Sequence, residues 1–222
     1  MTKHLKECWE LLILDAAPPS ENLGSLSVGD MDGDGNVEMI TGGEGALLWY
    51  RPATGEKGLI AEGHFHVGSV LEDLDGDGLP EIVVMRAESG RQIEWYKSEG
   101  DMNGPWVRHV IDPALQGSAH DMLFADMDND GRNELVTIAA YTATPGVFIY
   151  KPEDDARERW QKHAVHQGCF ADGTCVADLD GDGQLEIISG PAWYHAPPEG
   201  PLGGTWERRV FAPNFREMCR TA

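Results

Sequence analysis

The residues best suited to chemistry form an acidic loop that occurs four times. The first copy runs from Asp30 to Glu38 as Asp-Met-Asp-Gly-Asp-Gly-Asn-Val-Glu, and the others begin at Asp73, Asp126 and Asp178. Carboxylates at loop positions one, three and five converge when the backbone curls, and the glycine after position five permits the positive φ that the curl requires. Such a loop can surround a hard divalent cation with oxygen atoms.

Five positions of each loop are predicted to supply these oxygens: the side chains at positions one, three, five and nine, and the main-chain carbonyl at position seven. An all-oxygen shell suits calcium better than zinc or copper, so we predict up to four calcium ions. The predicted ligands are Asp30, Asp32, Asp34, Asn36 and Glu38; Asp73, Asp75, Asp77, Leu79 and Glu81; Asp126, Asp128, Asp130, Arg132 and Glu134; and Asp178, Asp180, Asp182, Gln184 and Glu186.

Two other interpretations of the loop remain open. An EF-hand closes with a glutamate at position twelve between helices, whereas this loop closes at position nine. Its flanks, 26–28 before and 37–41 after the first copy, are short and β-branched, which predicts strands. The second alternative is a tight turn without metal, because aspartate and glycine both favour turns.

Four D-x-D-x-D-G-x-x-E loops between short strands resemble the FG-GAP or VCBS repeats of β-propellers, in which such loops bind calcium. The resemblance covers nearly the whole chain, although Asn129 replaces a glycine in the third loop. It implies an all-β propeller of four-stranded antiparallel blades. Family members serve in adhesion receptors, lectins and enzymes, so the resemblance does not determine the function.

The loops begin 43, 53 and 52 residues apart, which suits one four-stranded blade per repeat. We predict one domain over 1–222, with repeats near 23–63, 64–111, 117–165 and 169–211 and the start of a further blade at 212–222. A pair ending in tyrosine marks each third strand, at Trp49-Tyr50, Trp95-Tyr96, Ile149-Tyr150 and Trp193-Tyr194.

Runs led by tryptophan predict the fourth strands, at 106–111, 160–165 and 206–211. The first interval has only 58–61 there, which predicts a reduced outer edge. The run 9–14 matches these fourth strands, so the chain is expected to begin with an outer strand. Because propellers of this family commonly have seven blades, we expect an open part of a larger ring, completed by further blades or by another copy. A compact ring of four or five blades is the alternative.

A ligand is expected at the opposite end of the inner strands, about 20 Å from the loops given the usual rise per strand residue. Residues predicted there are Leu23, Gly24, His64, His66, Val67, His120, Asp121, Phe170 and Asp172, together with Arg86, Arg91 and Tyr141 from the loops after the second strands. A histidine, His66 or His120, could act as a general base, Tyr141 as a proton donor, and Arg86 could neutralise a substrate carboxylate.

Those roles would serve β-elimination from a uronate sugar. Each histidine could instead be solvated or structural, and His64 with His66, or His120 with Asp121, could hold an additional metal in the channel. The W-x-x-H-V-I strand at 106–111 and the WY pairs are also similar, more weakly, to the propellers of aldos-2-ulose dehydratase and rhamnosyl-glucuronate lyases. Two functions therefore stand side by side: a calcium-binding module that binds carbohydrate, and a polysaccharide lyase or sugar dehydratase.

Composition limits the partners. The formal net charge is −21, and the four loops hold 16 of the 38 acidic residues. This acidity argues against nucleic acid or an anionic membrane as a partner, and no stretch is long enough to insert into a membrane. The four cysteines lack a zinc-ligand spacing and are expected to be free thiols, with Cys169 and Cys175 the one pair that could join. No signal peptide is recognised, whereas calcium use favours an extracellular or periplasmic location.

Overall fold

The protein is built from short antiparallel strands. The computed structural model describes residues 11–87, 91–168 and 173–214, and these contain no helix long and apolar enough to cross a membrane. The strands are β1 (Glu21–Gly29), β2 (Glu38–Arg51), β3 (Glu56–His64), β4 (Ser69–Glu72), β5 (Glu81–Arg86), β6 (Gln92–Ser98), β7 (Trp106–Asp112), β8 (Ser118–Ala125), β9 (Glu134–Ala140), β10 (Gly146–Pro152), β11 (Trp160–Gln167), β12 (Thr174–Ala177), β13 (Glu186–Ser189), β14 (Ala192–His195) and β15 (Glu207–Val210).

These strands form four sheets in chain order, and in each sheet sequential neighbours pair antiparallel. Each acidic loop joins the first strand of a sheet to the second, as in β4 and β5, where Glu72 pairs with Glu81. The inner strands meet in sequence, because β1 contacts β4, β4 contacts β8 and β8 contacts β12. The predicted all-β, propeller-like architecture is confirmed, and β1 and β12 stand at the two ends of the series.

The first sheet has its second and third strands in one continuous segment, β2. This segment pairs with β1 through its first half and with β3 through its second half. Fourteen extended residues would span roughly 46 Å, yet Arg51 Nε donates to Glu38 Oε1 at 2.7 Å across the full length of β2. The chain must therefore fold back near the glycines at 42–45. The two halves of β2 then take the places of the second and third strands, so the first sheet has the same strand order as the others.

Apolar residues on both faces of the second strands hold the sheets together. In β5, Ile82 and Val84 pack towards the first sheet, while Val83 and Met85 pack towards the third. Successive strand residues point to opposite faces, so burial on both sides requires a continuous apolar run rather than an alternating one. A third core joins the third and fourth sheets.

The predicted third and fourth strands are present. The tyrosine pairs lie in β2, β6, β10 and β14, and the tryptophan-led runs correspond to β7, β11 and β15. Trp95 is fully buried in the core between the second and third sheets, which accounts for the repeated aromatic residue at this place.

Two details of the edges differ from the prediction. The outer strand of the first sheet, β3, has nine residues and is not reduced. The N-terminal run is not a strand over 11–14, because Leu14 packs against the outer face of the first sheet beside Leu48 and Tyr50. Asp15 then accepts a hydrogen bond from Lys57 Nζ at 2.6 Å. These contacts hold residues 14 and 15 through their side chains, not through the backbone pairing that would make the segment a strand. Residues 9–10, and 215–222 of the further blade predicted over 212–222, lie outside the described residues.

Candidate functional site

The carboxylate at loop position one organises the backbone of each acidic loop. Asp30 Oδ1 accepts a hydrogen bond from the Gly33 amide at 2.8 Å, and its Oδ2 accepts one from the Gly35 amide at 2.9 Å. Both glycines have positive φ, of 75° and 86°. Asp73 and Asp178 bind the amides of the same two positions, and Asp126 binds the amides of Asp130 and Gly131. Asn129 takes the glycine's place at φ 58°, a conformation that asparagine tolerates better than most residues.

The glutamate at position nine closes each loop from the protein interior. Glu38, Glu134 and Glu186 are fully buried, and Glu81 is 1% exposed. In each case Oε2 accepts the amide of loop position two, at 2.7–2.9 Å, from Met31, Leu74, Met127 and Leu179. Since these bonds use Oε2, the other oxygen, Oε1, remains directed into the loop.

Loop positions one, three and nine form clusters that could hold a metal ion. In all four loops, one carboxylate oxygen from each of these positions lies within 4.8 Å of the others. Position five belongs to such a cluster only in the fourth loop, where Asp182 groups with Asp180 and His195. In every loop position five accepts the amide of position seven, as Asp77 Oδ1 does from Leu79 at 2.9 Å. The carbonyl ligands predicted at position seven stay predictions.

Three loops contact a basic side chain that the sequence reasoning missed. Lys97 Nζ lies 2.9 Å from Asp75 Oδ1, 2.6 Å from Asp77 Oδ2 and 2.9 Å from Glu81 Oε1. Lys151 and Arg51 occupy the same place in the third and first loops. Each follows the tyrosine of a third strand directly, and this shared position was the signal that could have revealed them.

The ion pairs in these loops shift the pKa values of their members. Burial alone would lower the pKa of Lys97, but its hydrogen bonds to Asp75, Asp77 and Glu81 outweigh burial and raise it. The hydrogen bond from Lys97 is the main reason that the pKa of Asp77 is lowered. Burial raises the pKa of Glu81 despite the same lysine. Lys97 therefore stays charged at neutral pH, and its ammonium group holds the loop carboxylates together as a bound metal ion would.

The fourth loop differs because a histidine follows its tyrosine. His195 Nδ1 lies 2.9 Å from Glu186 Oε1 and 3.7 Å from Asp180 Oδ2. An imidazole nitrogen can coordinate a metal, which an ammonium or guanidinium group cannot. A divalent cation entering the fourth loop would therefore displace only the hydrogen bond between His195 Nδ1 and Glu186 Oε1, whereas in the other loops it would have to displace the charged side chain of Arg51, Lys97 or Lys151.

The opposite ends of the inner strands enclose an axial cavity of about 420 Å³. All four sheets contribute to its wall, which is formed by Gly24, Ser25, Leu26, His66, Val67, Gly68, Ser69, His120, Asp121, Met122, Gly173 and Thr174. Glycines allow neighbouring inner strands to approach one another closely here, because a Cβ on Gly24 would lie 2.2 Å from the His66 carbonyl oxygen. The cavity therefore depends on the packing of four segments that are distant in sequence.

His120 and Asp121 form the polar centre of this axial cavity. His120 Nδ1 lies 3.7 Å from Asp121 Oδ2, and the same Oδ2 accepts the Gly173 amide at 2.6 Å. The Tyr141 ring stands beside the His120 imidazole, with 6.2 Å between centroids, and is 53% exposed. Tyr141 has φ 53°, an uncommon conformation for a residue other than glycine. The structure thus brings together His66, His120, Asp121 and Tyr141 from three places in the sequence.

Other predicted residues are placed elsewhere. Arg86 does not line the axial cavity: its Nη2 donates to the Glu62 carbonyl at 3.0 Å, and its guanidinium lies 5.4 Å from the centre of the Phe65 ring. His64 ends the outer strand β3 rather than belonging to an inner strand. Arg91 Nη1 donates to the Tyr141 carbonyl at 3.5 Å. Phe170 and Asp172 lie outside the described residues, as does Cys169, while Cys175 is a free thiol.

Comparison with known proteins supports the repeat and the fold. Residues 73–137 match the FG-GAP-like repeat family, and no curated protein matches the chain. The V. cholerae biofilm matrix protein Bap1 is similar in structure, with a TM-score of 0.51 and 20% identity over 83% of this chain and 30% of Bap1. An Agrocybe aegerita lectin that recognises non-reducing terminal N-acetylglucosamine has a TM-score of 0.48 and 15% identity over 85% of this chain and 52% of the lectin. The chain thus contains FG-GAP-like repeat sequence within a propeller-like fold of successive antiparallel sheets.

Proposed function

We propose that the protein is a carbohydrate-binding module whose ligand occupies the axial cavity. The observation that carries this proposal is the composition of the wall, where two histidines and Asp121 stand among glycines and hydroxyl residues, and Leu26, Val67 and Met122 add an apolar part. Sugar recognition needs several hydrogen-bonding groups in fixed positions and an aromatic face for the apolar side of the ring. The exposed Tyr141 ring beside His120 supplies that face.

The charge of the cavity favours a neutral sugar. Among the described residues that line it, none is lysine or arginine, and Asp121 contributes a carboxylate. A uronate would place its own carboxylate near Asp121 without a compensating cation. We therefore propose a neutral oligosaccharide as the ligand.

A lyase or dehydratase is the second candidate, and the observation that favours it is the grouping of His120, Asp121 and Tyr141. His120 would act as the base and Tyr141 as the proton donor to the leaving group. The position of Arg86, which packs on Phe65, gives this candidate less support than the sequence alone did.

Binding and turnover separate the two candidates. Calorimetric titration with neutral oligosaccharides should show binding that falls at least about tenfold in His120→Ala and in Tyr141→Ala, as expected when about 1.4 kcal/mol is lost. His163→Ala is the matched control, since His163 lies on the outer strand β11. Equal binding by His120→Ala would contradict the proposal. Appearance of an unsaturated product from uronate oligosaccharides, lost in His120→Ala, would establish the lyase instead.

We also propose that the acidic loops bind calcium. The support is the convergence of carboxylate oxygens within 4.8 Å in every loop, which is the donor chemistry that calcium prefers. Calcium that binds only the folded state should raise the melting temperature, and at 100 times its dissociation constant it would add about 2.7 kcal/mol. A melting temperature that does not respond to a chelator would contradict calcium binding. An extracellular or periplasmic location accompanies this proposal.

A further inference from the structure

The four acidic loops differ in one residue that faces their carboxylates. At the position after the third-strand tyrosine stand Arg51, Lys97, Lys151 and His195, in chain order. Three of these side chains carry a permanent positive charge at neutral pH, and the fourth is an imidazole. The difference lies outside the loop motif itself, so the four copies look equivalent when only the motif is compared.

The basic side chains occupy the region into which the free carboxylate oxygens point. Lys151 Nζ lies 2.5 Å from Asp128 Oδ2, 2.6 Å from Asp130 Oδ2 and 3.2 Å from Glu134 Oε1. These three oxygens come from loop positions three, five and nine. The remaining carboxylate, Asp126, uses both oxygens to accept loop amides.

The first loop repeats this arrangement with a guanidinium group. Arg51 Nε donates to Glu38 Oε1 at 2.7 Å, and Arg51 Nη2 contacts Asp32 and lies 3.9 Å from Asp34 Oδ2. The second loop receives an additional cation, because Arg157 Nη2 from the neighbouring sheet lies 2.5 Å from Asp75 Oδ2. A divalent ion entering any of these loops would meet a fixed positive charge within the first coordination shell.

We propose that Arg51, Lys97 and Lys151 are internal cations that take the place of a metal, and that divalent-ion binding is confined to the fourth loop. This inference rests on the proposed calcium binding and narrows it from four ions to one. In the fourth loop the corresponding side chain is the His195 imidazole, which carries no permanent charge and contacts Glu186 Oε1, so a divalent ion bound among Asp180, Asp182 and Glu186 displaces a hydrogen bond and not a fixed cation.

Counting bound ions tests the inference directly. The purified full chain would be equilibrated with Ca²⁺ alone, and the calcium bound per chain measured by native mass spectrometry and elemental analysis. We expect one ion for the wild type and none for His195→Lys, which supplies the fourth loop with the cation of the other three. Two or more ions in the wild type, or one ion retained by His195→Lys, would overturn the inference.

A gain of binding provides the complementary test. Lys151→Ala removes the internal cation from the third loop, so this variant should bind a second calcium ion, and its melting temperature should rise on calcium addition by more than that of the wild type. Lys162→Ala is the matched control, because Lys162 pairs with Asp112 at 2.7 Å away from the loops and should leave one ion bound. A folded Lys151→Ala protein with one ion would contradict the role of Lys151.

The outcomes also separate this inference from the calcium proposal on which it rests. Four bound ions would sustain calcium binding and refute the internal cations. No bound ion in the wild type would refute both.

Discussion

The two ends of the inner strands are built on different principles. At the loop end, the carboxylates are fixed by amides within their own nine-residue loop and by the side chain that follows the third-strand tyrosine, and this arrangement recurs in every sheet, with Arg157 of the neighbouring sheet as an addition at Asp75. At the cavity end, the wall combines residues from four sheets, and no two sheets contribute the same set. Repetition at one end and variation at the other indicate that the loops stabilise each sheet, while the cavity end is where a ligand can be selected.

The largest effect is expected at the loop end, from Glu81→Ala. This change removes a buried carboxylate, leaves the Leu74 amide unpaired and takes one of three carboxylates from Lys97. An unsatisfied buried donor costs about 1–3 kcal/mol and a lost hydrogen bond to a charged group about 1.5–3 kcal/mol, so the two losses together should reach about 3–5 kcal/mol. Urea denaturation should show this decrease in the free energy of unfolding. Glu56→Ala, which removes an exposed partner of Arg51, should cost far less, and similar losses in both variants would refute the importance of burial.

Two glycines with positive φ allow the space around the backbone to be compared between the cavity end and the loop end of the inner strands. Gly68, at the cavity, has φ 57°, and a Cβ there would lie 2.0 Å from the Ala119 carbonyl oxygen; Gly78, in the second loop, has φ 89° and no atom within 4 Å. Alanine at either site meets the cost of positive φ, about 1–2 kcal/mol. Gly68→Ala should cost about 2 kcal/mol more because β4 and β8 must separate. Thermal unfolding of both variants measures the difference, and equal costs would show that the inner strands can separate freely.

Asp112 is a buried carboxylate at the cavity end of β7, and it pairs with the third sheet. Burial raises its pKa, but the hydrogen bonds from Lys162 and Tyr150, both 2.7 Å, outweigh burial and lower it. A lowered pKa in the folded state means that the stabilisation is complete above the ordinary aspartate value of about 3.9 and disappears as the pH falls through the lowered pKa. Asp112→Asn should therefore cost about 1–2 kcal/mol at neutral pH, and the difference should shrink below about pH 4.

Denaturation of the wild type and of Asp112→Asn across this pH range tests the effect. If the difference in stability persists unchanged in acid, Asp112 stabilises the folded protein through its packing and shape rather than through its charge.

The smallest effect on stability is expected for Tyr141→Gly. Glycine relieves the positive φ of Tyr141 and also increases the entropy of the unfolded chain, so the two effects nearly cancel and the change should stay within about 1 kcal/mol. Loss of the ring should nevertheless weaken carbohydrate binding, which calorimetry measures. A large loss of stability would assign Tyr141 to the structure rather than to the ligand.

Much of the repeat could be predicted from local spacing. Asp73, Asp75 and Glu81 converge because hydrogen bonds within the nine-residue loop close the turn. The loop motif alone is therefore enough to predict this convergence. The strands on both sides followed from short β-branched runs, and the third strands from their tyrosines. The apolar run at 11–14 predicts a strand, and this prediction is wrong because residues 11–13 are exposed and only Leu14 packs against the first sheet.

What the sequence determined by itself was the set of four acidic turns and the strands that they join, because hydrogen bonds within each turn specify its geometry. Only the tertiary structure decided which cation meets each turn, since Lys97 reaches Asp75 across 22 residues and Arg157 reaches it across 82. It also decided that His120 lines the axial cavity with the Tyr141 ring beside it, and that Arg86 packs on Phe65 instead. The Lys97 contact depends on strand pairing within its own sheet, whereas the contacts of Arg157 and of the cavity residues depend on the packing of separate sheets, which the pattern within a single sheet does not record.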